Sequence, residues 1–239
     1  MSGKVRYAEM RPQEFRERLG RRPLAYLPLG TLEWHGEQLP LGSDAIISEG
    51  VMCACARRFG GIVLPPIHLG PDRAALQPDG SFLQGMDTAE VTEPNRQLDG
   101  SCYWVSQGLF FPLVDAVLEQ VKRAGFRAVF ADGHGPSRRS WVTHLEERKA
   151  RFGLELLGVT AEVAGEWKSQ IDHAARNETS LVMALRPELV DLGALDPDRG
   201  VWPQGVGGED PRDATADHGR DCIEHSVGLV GRMLEKAGL

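Results

Sequence analysis

The chain has 239 residues, of which 41% are hydrophobic and 26% charged, and its formal net charge is −7. The acidic balance and the lack of a basic run argue against nucleic acid as a partner, because phosphate binding needs clustered lysine and arginine. No stretch approaches the ~20 apolar residues of a membrane helix, and the first twenty residues lack the apolar core of a signal peptide. We therefore expect one domain over residues 1–239, in the cytoplasm, with its four cysteines as reduced thiols.

The first half of the chain predicts two strands and a helix. The apolar segment at 24–29, LAYLPL, is typical of a buried strand. A helical pattern then begins at Ser43, a plausible N-cap, and ends at Gly60 and Gly61, before a short strand at 62–64. Residues 69–108 are rich in Gly, Pro, Asp, Gln and Ser. So long an irregular stretch is usually functional, as a lid or an oligomer contact.

The second half alternates between helices and strands. The predicted elements are a helix with an apolar face that ends at Gly125, a strand at 127–131, a helix at about 137–151, a strand at 154–163, and helices at 180–185 and 216–236. This order indicates an α/β domain with a mainly parallel sheet covered on both sides. In such folds, ligands bind beyond the carboxyl ends of the strands.

A histidine and two acidic residues follow the first predicted strand. Glu33 and His35 are two residues apart, so in extended backbone both side chains would project to the same side. Asp44 comes where the next helix begins, after Gly and Pro residues that let the chain double back. This mixed set of ligands suits Zn²⁺, Mn²⁺ or Fe²⁺. The same spacing also fits a surface strand end, with Asp44 merely favouring the helix dipole.

A second candidate ligand follows the strand at 127–131. His134 stands between two glycines, which permit backbone geometry and close approach that other residues resist. A loop histidine in a tight turn has the same local pattern. Two strand ends that offer metal ligands toward one crevice nevertheless favour a shared metal site.

A third polar group lies between residues 172 and 180. Histidine titrates in the range suited to a proton shuttle, which makes His173 a candidate catalytic residue. Glu178 is placed to bind a metal or to orient water. The alternative is that Glu178, Thr179 and Ser180 simply begin a helix, whose N-terminus favours acids and hydroxyls. That alternative leaves His173 without a role.

Together these three segments resemble the creatininase family. The family signature L-P-x-G-[ST]-x-E-x-H-G-x-x-L-P-[LI]-x-[ST]-D is matched almost fully by LPLGTLEWHGEQLPLGSD, residues 27–44. A later N-G-H-G-G-N segment is similar to residues 132–137. An H-A-G-x-x-E-T-S segment is similar to residues 173–180, with its third residue changed.

The resemblance implies a fold, a metal centre and a reaction. The fold would be a single three-layer Rossmann-like α/β domain, usually assembled as a hexamer or a smaller homo-oligomer. Two divalent ions per subunit (Zn²⁺, Mn²⁺ or Fe²⁺) would be held, one by Glu33, Asp44 and His134, and the other by His35 and the bridging Asp44. A metal-bound hydroxide would open a small cyclic amide or a related carbonyl compound, and His173 would pass the proton to the leaving group.

Two features depart from the family pattern. Creatininase itself has a Glu ligand for the second metal where this chain has Pro136, so our hypothesis is that Glu178 takes that place as a metal-binding and catalytic residue. Residues 72–108 do not resemble the family's usual H-x-x-F-P-G-T region, which shapes the pocket, so creatinine is not the predicted substrate. Trp167 is near His173 in sequence and is either a pocket wall or a core residue.

Three other functions are alternatives to an amide hydrolase. Hydrolysis of a carbon–carbon bond in a cyclic diketone derived from an inositol (3-dehydro-scyllo-inosose hydrolase-like) needs the same attack but releases an enolate. The polar residues between 77 and 107 would suit such a hydroxylated ring. An inactive binding protein on the same scaffold predicts missing ligands, whereas the four central ligands and the proton shuttle are present. A nucleotide-binding oxidoreductase is disfavoured because no G-x-G-x-x-G follows the first strand.

Overall fold

The computed structural model describes residues 3–160 and 172–239. Its strands are β1 Leu24–Leu29, β2 Ile62–Val63, β3 Ala74–Leu76, β4 Phe82–Gln84, β5 Ala128–Gly133 and β6 Glu155–Leu157. Four of them form a parallel sheet in the order β2-β1-β5-β6, and β3 and β4 form a separate antiparallel hairpin. The hairpin lies within the stretch that the sequence predicted to be irregular. The predicted strand at 154–163 is confirmed at 155–157, and its last three residues lie outside the described ranges.

The helices agree with the predicted pattern, with three corrections. They are α1 Pro12–Arg21, α2 Ser43–Phe59, α3 Gln107–Arg123, α4 Gly135–Thr143, α5 Leu145–Phe152, α6 Arg176–Leu185 and α7 Ala216–Lys236. The prediction of a single helix at 137–151 is wrong. The helix is interrupted at His144, whose N–H donates to the carbonyl of Trp141 three residues back. Ser43 is not the N-cap of α2, since Gly42 is, and the Ser43 hydroxyl donates to the carbonyl of Pro40 at 2.7 Å. The helix predicted at 180–185 begins earlier, at Arg176.

The sheet is covered by helices on both faces. Side chains alternate along the strands, so Leu24, Tyr26 and Phe130 pack with α2 and α7 in one core cluster. Leu27 and Val129 belong to the opposite cluster, which contains residues of α3, α4 and α5. Every residue of β1 is buried, as expected for a parallel strand between two helical layers. The predicted three-layer α/β fold with a parallel sheet is confirmed.

The neighbouring strands β1 and β5 end together, which places the candidate residues at one edge of the sheet. Leu29 pairs with Gly133 at the last position of the ladder. Gly133 has φ +149°, and a Cβ there would lie 2.1 Å from the Leu29 carbonyl oxygen. Gly30 allows α2 to approach the strand end, since a Cβ would lie 2.7 Å from that of Ala45. The loops after both strands therefore leave from the same point.

The four cysteines form no disulfide. Cys53, Cys55 and Cys222 are buried, Cys102 is exposed, and all four thiols are free. Within residues 3–160 and 172–239, no helix is both long and apolar enough to cross a bilayer.

Candidate metal centre

All six side chains singled out from the sequence come together at the carboxyl edge of the sheet. Glu33 and His35 lie in the loop after β1, Asp44 is in the first turn of α2, His134 precedes α4, His173 precedes α6, and Glu178 is in the first turn of α6. Five of them line a cavity of about 270 Å³, and the imidazole of His35 is fully buried beside it. Residues 31–36 belong to no strand, so the Glu33 N–H has no partner in the sheet. This N–H instead donates to Leu41 across the loop, at 3.0 Å.

Glu33, Asp44 and His134 form the first group of potential metal ligands. Nδ1 of His134 lies 3.1 Å from Oε1 of Glu33 and 3.1 Å from Oδ2 of Asp44. Burial alone would lower the pKa of His134, but the two carboxylates raise it well above its ordinary value. Burial opposes ionisation of Asp44, yet His134 and His35 hold the pKa of its carboxyl below the usual range. Positive charge is therefore favoured between these side chains.

His35, Asp44 and Glu178 form the second group. Nε2 of His35 lies 3.9 Å from Oδ2 of Asp44 and 3.7 Å from Oε2 of Glu178. Burial raises the pKa of Glu178 to about 8, so without a cation this carboxyl favours its neutral form at neutral pH. Asp44 belongs to both groups, and the candidate ligand atoms within each group lie within 4.8 Å of one another.

A hydrogen bond orients His35, and a contact with a carboxylate orients His134. Nδ1 of His35 lies 3.1 Å from the backbone carbonyl of Glu33. A carbonyl can only accept, so Nδ1 carries the proton and Nε2 presents its lone pair to the carboxylates. On His134, Nε2 lies 3.4 Å from Oδ2 of Asp72, which leaves Nδ1 facing Glu33 and Asp44. Metal-binding histidines typically donate their second ring N–H in this way.

The turn before α6 explains why Glu178 faces the centre. The carboxylate of Asp172 accepts the N–H groups of Asn177 at 2.6 Å and Glu178 at 3.2 Å, so it satisfies the start of the helix. The Glu178 side chain turns back to the N–H of Ala174 at 2.6 Å and toward His35. The simple helix-start interpretation thus fits Asp172 rather than Glu178.

His173 lies beside the second group. Its Nε2 lies 2.9 Å from the backbone carbonyl of Trp34, to which it must donate, so neutral His173 keeps Nδ1 as an acceptor. Its ring is 4.5 Å from that of His35. Burial and then the neighbouring His35 lower the pKa of His173, which favours the neutral ring. A neutral, oriented imidazole is the form that accepts a proton.

The side chains present fit divalent cations. Oε2 of Glu33 and Nε2 of His35 are buried without a hydrogen-bond partner in the described part of the chain. Unpaired buried polar atoms are costly, so a ligand is expected to satisfy them. Carboxylate and imidazole together suit Zn²⁺ or Mn²⁺. Pro136 lines the same cavity and offers no side-chain donor.

Several residues of the site were missed from the sequence. Asp72, Arg73, Met86, Arg138 and Arg139 line the cavity, and the indole of Trp104 lies 5.8 Å from the ring of His134. All four of those before α4 come from the stretch at 69–108, where no motif singled out particular side chains. Arg138 and Arg139 are in α4, where they resemble an ordinary solvated helix face. Trp167, considered as a pocket wall, lies outside the described residues.

The fold and the site define a three-layer α/β protein with a buried carboxylate–histidine centre at the edge of its sheet. The sequence model of the creatininase family, described as creatinine amidohydrolase, matches residues 8–234. The chain belongs to the creatininase family, which confirms the resemblance read from its motifs.

Two relatives show how far the sequence similarity extends. Creatinine amidohydrolase of Pseudomonas putida is 25% identical over 187 residues, which are 70% of this chain and 65%, slightly less than two thirds, of that protein. The mycofactocin precursor peptide peptidase of Mycobacterium ulcerans (strain Agy99) is 27% identical over 243 aligned positions, which cover 88% of this chain and 85% of that protein.

Solved structures share the fold over nearly the whole chain. A crystal structure of creatinine amidohydrolase (creatininase) has a TM-score of 0.73 and 19% identity, and covers 99% of this chain and 98% of its own. A Zn–Zn form of a creatininase variant has a TM-score of 0.72 and 18% identity, with 98% of each chain covered. A structure described as creatininase Mn has a TM-score of 0.71 and 19% identity, again with 98% of each chain covered.

Proposed function

We propose that this protein is a metal-dependent hydrolase that uses two divalent ions to cleave a C–N bond in a small cyclic amide. The observation that carries this proposal is the pair of ligand groups that share Asp44. A carboxylate between two such groups suits a centre with two metal ions, because its two oxygens can each bind one ion. The Zn–Zn and Mn forms of solved creatininases support this choice of metals.

The proposed ligands divide between the two ions. Glu33, Asp44 and His134 bind one ion, and His35, Asp44 and Glu178 bind the other. Glu178 thereby supplies the carboxylate that Pro136 lacks. The distance of 3.7 Å between Glu178 Oε2 and His35 Nε2 supports this assignment, because both atoms belong to one compact group.

The chain's own residues then position the substrate and move protons. Bound divalent ions supply Lewis acidity toward a carbonyl oxygen and lower the pKa of water. Nδ1 of His173 accepts a proton and returns it to the departing nitrogen, while its Nε2–H remains bonded to the Trp34 carbonyl. Glu178 would bind the second ion in this scheme, and its carboxylate would be placed to orient water. Burial of Glu33, His35 and His134 strengthens these electrostatic interactions.

Two other reactions use the same centre. Hydrolysis of a carbon–carbon bond in a cyclic diketone derived from an inositol requires the same activation of water, with His173 protonating an enolate carbon instead of nitrogen. Cleavage of a linear peptide amide is favoured by the similarity to a peptide peptidase over 88% of this chain. An inactive binding protein is disfavoured because every proposed ligand is present.

We also propose that the protein is a cytoplasmic homo-oligomer, with a hexamer favoured by the family resemblance. Free thiols on all four cysteines are compatible with a reducing compartment. Light scattering coupled to gel filtration tests the assembly. A monomer at micromolar concentration would contradict this part of the proposal.

Metal analysis combined with turnover tests the proposed function. Protein purified without chelator should contain about two divalent ions per chain and should open at least one ring in a panel of cyclic amides and cyclic diketones. Glu33→Ala and His134→Ala should lose both metal and turnover while the fold survives. Glu37→Ala, a change at an exposed glutamate of the same loop, serves as the control. Full turnover in either ligand variant would remove that residue from the centre.

A further inference from the structure

A second cavity, which we call the outer lobe, adjoins the cavity at the candidate metal centre and is lined in part by the same residues. This outer lobe has a volume of about 390 Å³. It shares Asp72, Arg73, Pro136 and Arg139 with the inner lobe that contains the candidate ligands. A small ring at the centre would leave the outer lobe unfilled, whereas a longer substrate would occupy both lobes.

The two lobes differ in charge. The inner lobe contains the carboxylates of Glu33, Asp44 and Glu178, and none of these reaches the outer lobe. Among the described residues, Asp72 is the one acidic residue that lines the outer lobe. Its carboxylate is already engaged, with Oδ1 accepting the Arg73 N–H at 2.6 Å and Oδ2 facing His134. Two arginines therefore dominate the charge of the outer lobe.

Arg73 and Arg139 are placed to bind a ligand from this lobe. The described residues offer the guanidinium of Arg139 no hydrogen bond or ion pair. Arg73 uses Nε to donate to the Gly85 carbonyl at 3.2 Å, which anchors the side chain and leaves its terminal nitrogens available. Arg138, by contrast, lines only the inner lobe and faces Asp132 at 3.6 Å. The side chains of Arg73 and Arg139 are both exposed to solvent, and a guanidinium presents a planar fork that matches an oxyanion.

The start of α4 adds to the positive potential. Pro136 lies in the first turn of this nine-residue helix and lines both lobes. The N-terminus of a helix carries partial positive charge and favours anions. Gln107 and Ser140 also line the outer lobe and offer neutral hydrogen-bond donors. The positive charge and the hydrogen-bond donors of the outer lobe both favour an anionic ligand.

We infer that the substrate carries an oxyanion, a carboxylate or a phosphate, that binds Arg73 and Arg139 in the outer lobe while the scissile amide lies at the inner lobe. This inference rests on the proposed function and narrows its substrate class to acidic amides. Arg73 and Arg139 are then specificity residues rather than parts of the metal centre. A neutral compound, such as an unsubstituted ring, gains no binding affinity from these two arginines.

A matched pair of probes tests the inference. Hydantoin-5-acetic acid and its neutral side-chain amide have the same ring and differ in one charge. Calorimetry should show the acid binding wild-type protein about tenfold more tightly than the amide. Arg139→Gln should remove most of that preference and Arg73→Gln part of it. Arg16→Gln, a change at an exposed arginine of α1 that lines neither lobe, should leave the preference intact.

The same titrations in metal-loaded and metal-free protein separate the arginines from the ions, because a bound ion also attracts a carboxylate. An acid preference that persists without metal and disappears in Arg139→Gln supports the inference. Equal binding of acid and amide by wild-type protein overturns it, as does a preference that survives the double change of Arg73 and Arg139. Competition with acetate and inorganic phosphate assigns the oxyanion, since the better competitor identifies the group.

Turnover distinguishes this inference from the proposed function. Arginine-dependent binding of the acid, with no ring opened by metal-loaded protein, would leave the anionic subsite standing and remove the hydrolase assignment for such rings. Hydrolysis of acid and amide at equal kcat/KM, unaffected by Arg139→Gln, would support the hydrolase and refute the acidic substrate class.

Discussion

Oδ2 of Asp72 lies 3.4 Å from Nε2 of His134, on the side of the imidazole that faces away from Glu33 and Asp44. The carboxylate thereby favours the tautomer in which Nε2 is protonated and Nδ1 is available to a metal. Asp72 also accepts the backbone N–H of Arg73, which holds it in place. A side chain that no motif identified thus orients a proposed ligand.

Asp72→Asn should weaken metal binding without removing a ligand. An amide cannot stabilise the ring N–H as a carboxylate does, and loss of such a partner typically costs about 10- to 100-fold in metal affinity or activity. Competition with a fluorescent chelator measures the affinity, and Asp99→Asn, at an exposed residue of the same loop region, is the control. An unchanged affinity would show that Asp72 does not orient His134.

The role of Glu178 is decided by metal stoichiometry. Glu178→Gln removes the charge but keeps the shape of the side chain, so the second ion should be lost or bound weakly while the first remains. Plasma mass spectrometry should show a fall from about two ions to about one, with Glu37→Gln as the control. Two ions and normal turnover in Glu178→Gln would mean that another group completes the second site.

The sequence predicted the candidate ligands better than their surroundings. Glu33, His35, Asp44 and His134 were found because they follow strands that end at one sheet edge, and that topology depends on the hydrophobic pattern. Asp72 could not be found in this way, because its partner is distant in sequence and its own segment lacks periodicity. Arg139 was missed for a different reason, since an exposed arginine on a helix is normally solvated. The break at His144 depends on packing that local propensity does not reveal.

The two glycines beside His134 should respond differently to substitution. Gly133→Ala places a Cβ 2.1 Å from the Leu29 carbonyl in a backbone conformation that favours glycine, so it should destabilise the fold by about 3 kcal/mol. A Cβ at Gly135 meets no atom within 4 Å, so Gly135→Ala should be tolerated. Urea unfolding of both variants measures the difference. Equal stabilities would show that β1 and β5 do not approach as closely as described.

The stability of the metal-free protein should fall as pH rises from 5 to 8. Groups with raised folded-state pKa values bind protons more tightly when folded, so their contribution is lost as pH rises through those values. Five buried groups at or near the centre behave in this way: His35, Asp132, His134, Asp172 and Glu178. The lowered pKa of His173 makes stability rise with pH instead, but this single group is outnumbered by the five whose pKa is raised.

Metal should reverse this dependence, because it replaces the protons on the ligands. The increase in melting temperature on adding Zn²⁺ or Mn²⁺ should therefore grow from pH 5 to pH 8. Burial raises the pKa of Glu178 to about 8, so Glu178→Gln should flatten the metal-free profile over the upper part of this range. A metal-free protein that becomes more stable toward pH 8 would contradict the assignment of these groups.

His173 separates proton transfer from metal binding. Its Nε2 bond to the Trp34 carbonyl leaves Nδ1 for chemistry, but the ring also lies near His35 and Glu33, where a third ligand group is possible. If His173 is a proton shuttle, His173→Gln should lower kcat by about 100- to 10,000-fold with both ions retained. If His173 is instead a metal ligand, the His173→Gln variant should lose metal in proportion to activity. His68→Gln, at an exposed histidine outside the cavity, controls for a general loss of imidazole, and a substrate with a better leaving group should restore rate only if proton transfer is the missing step.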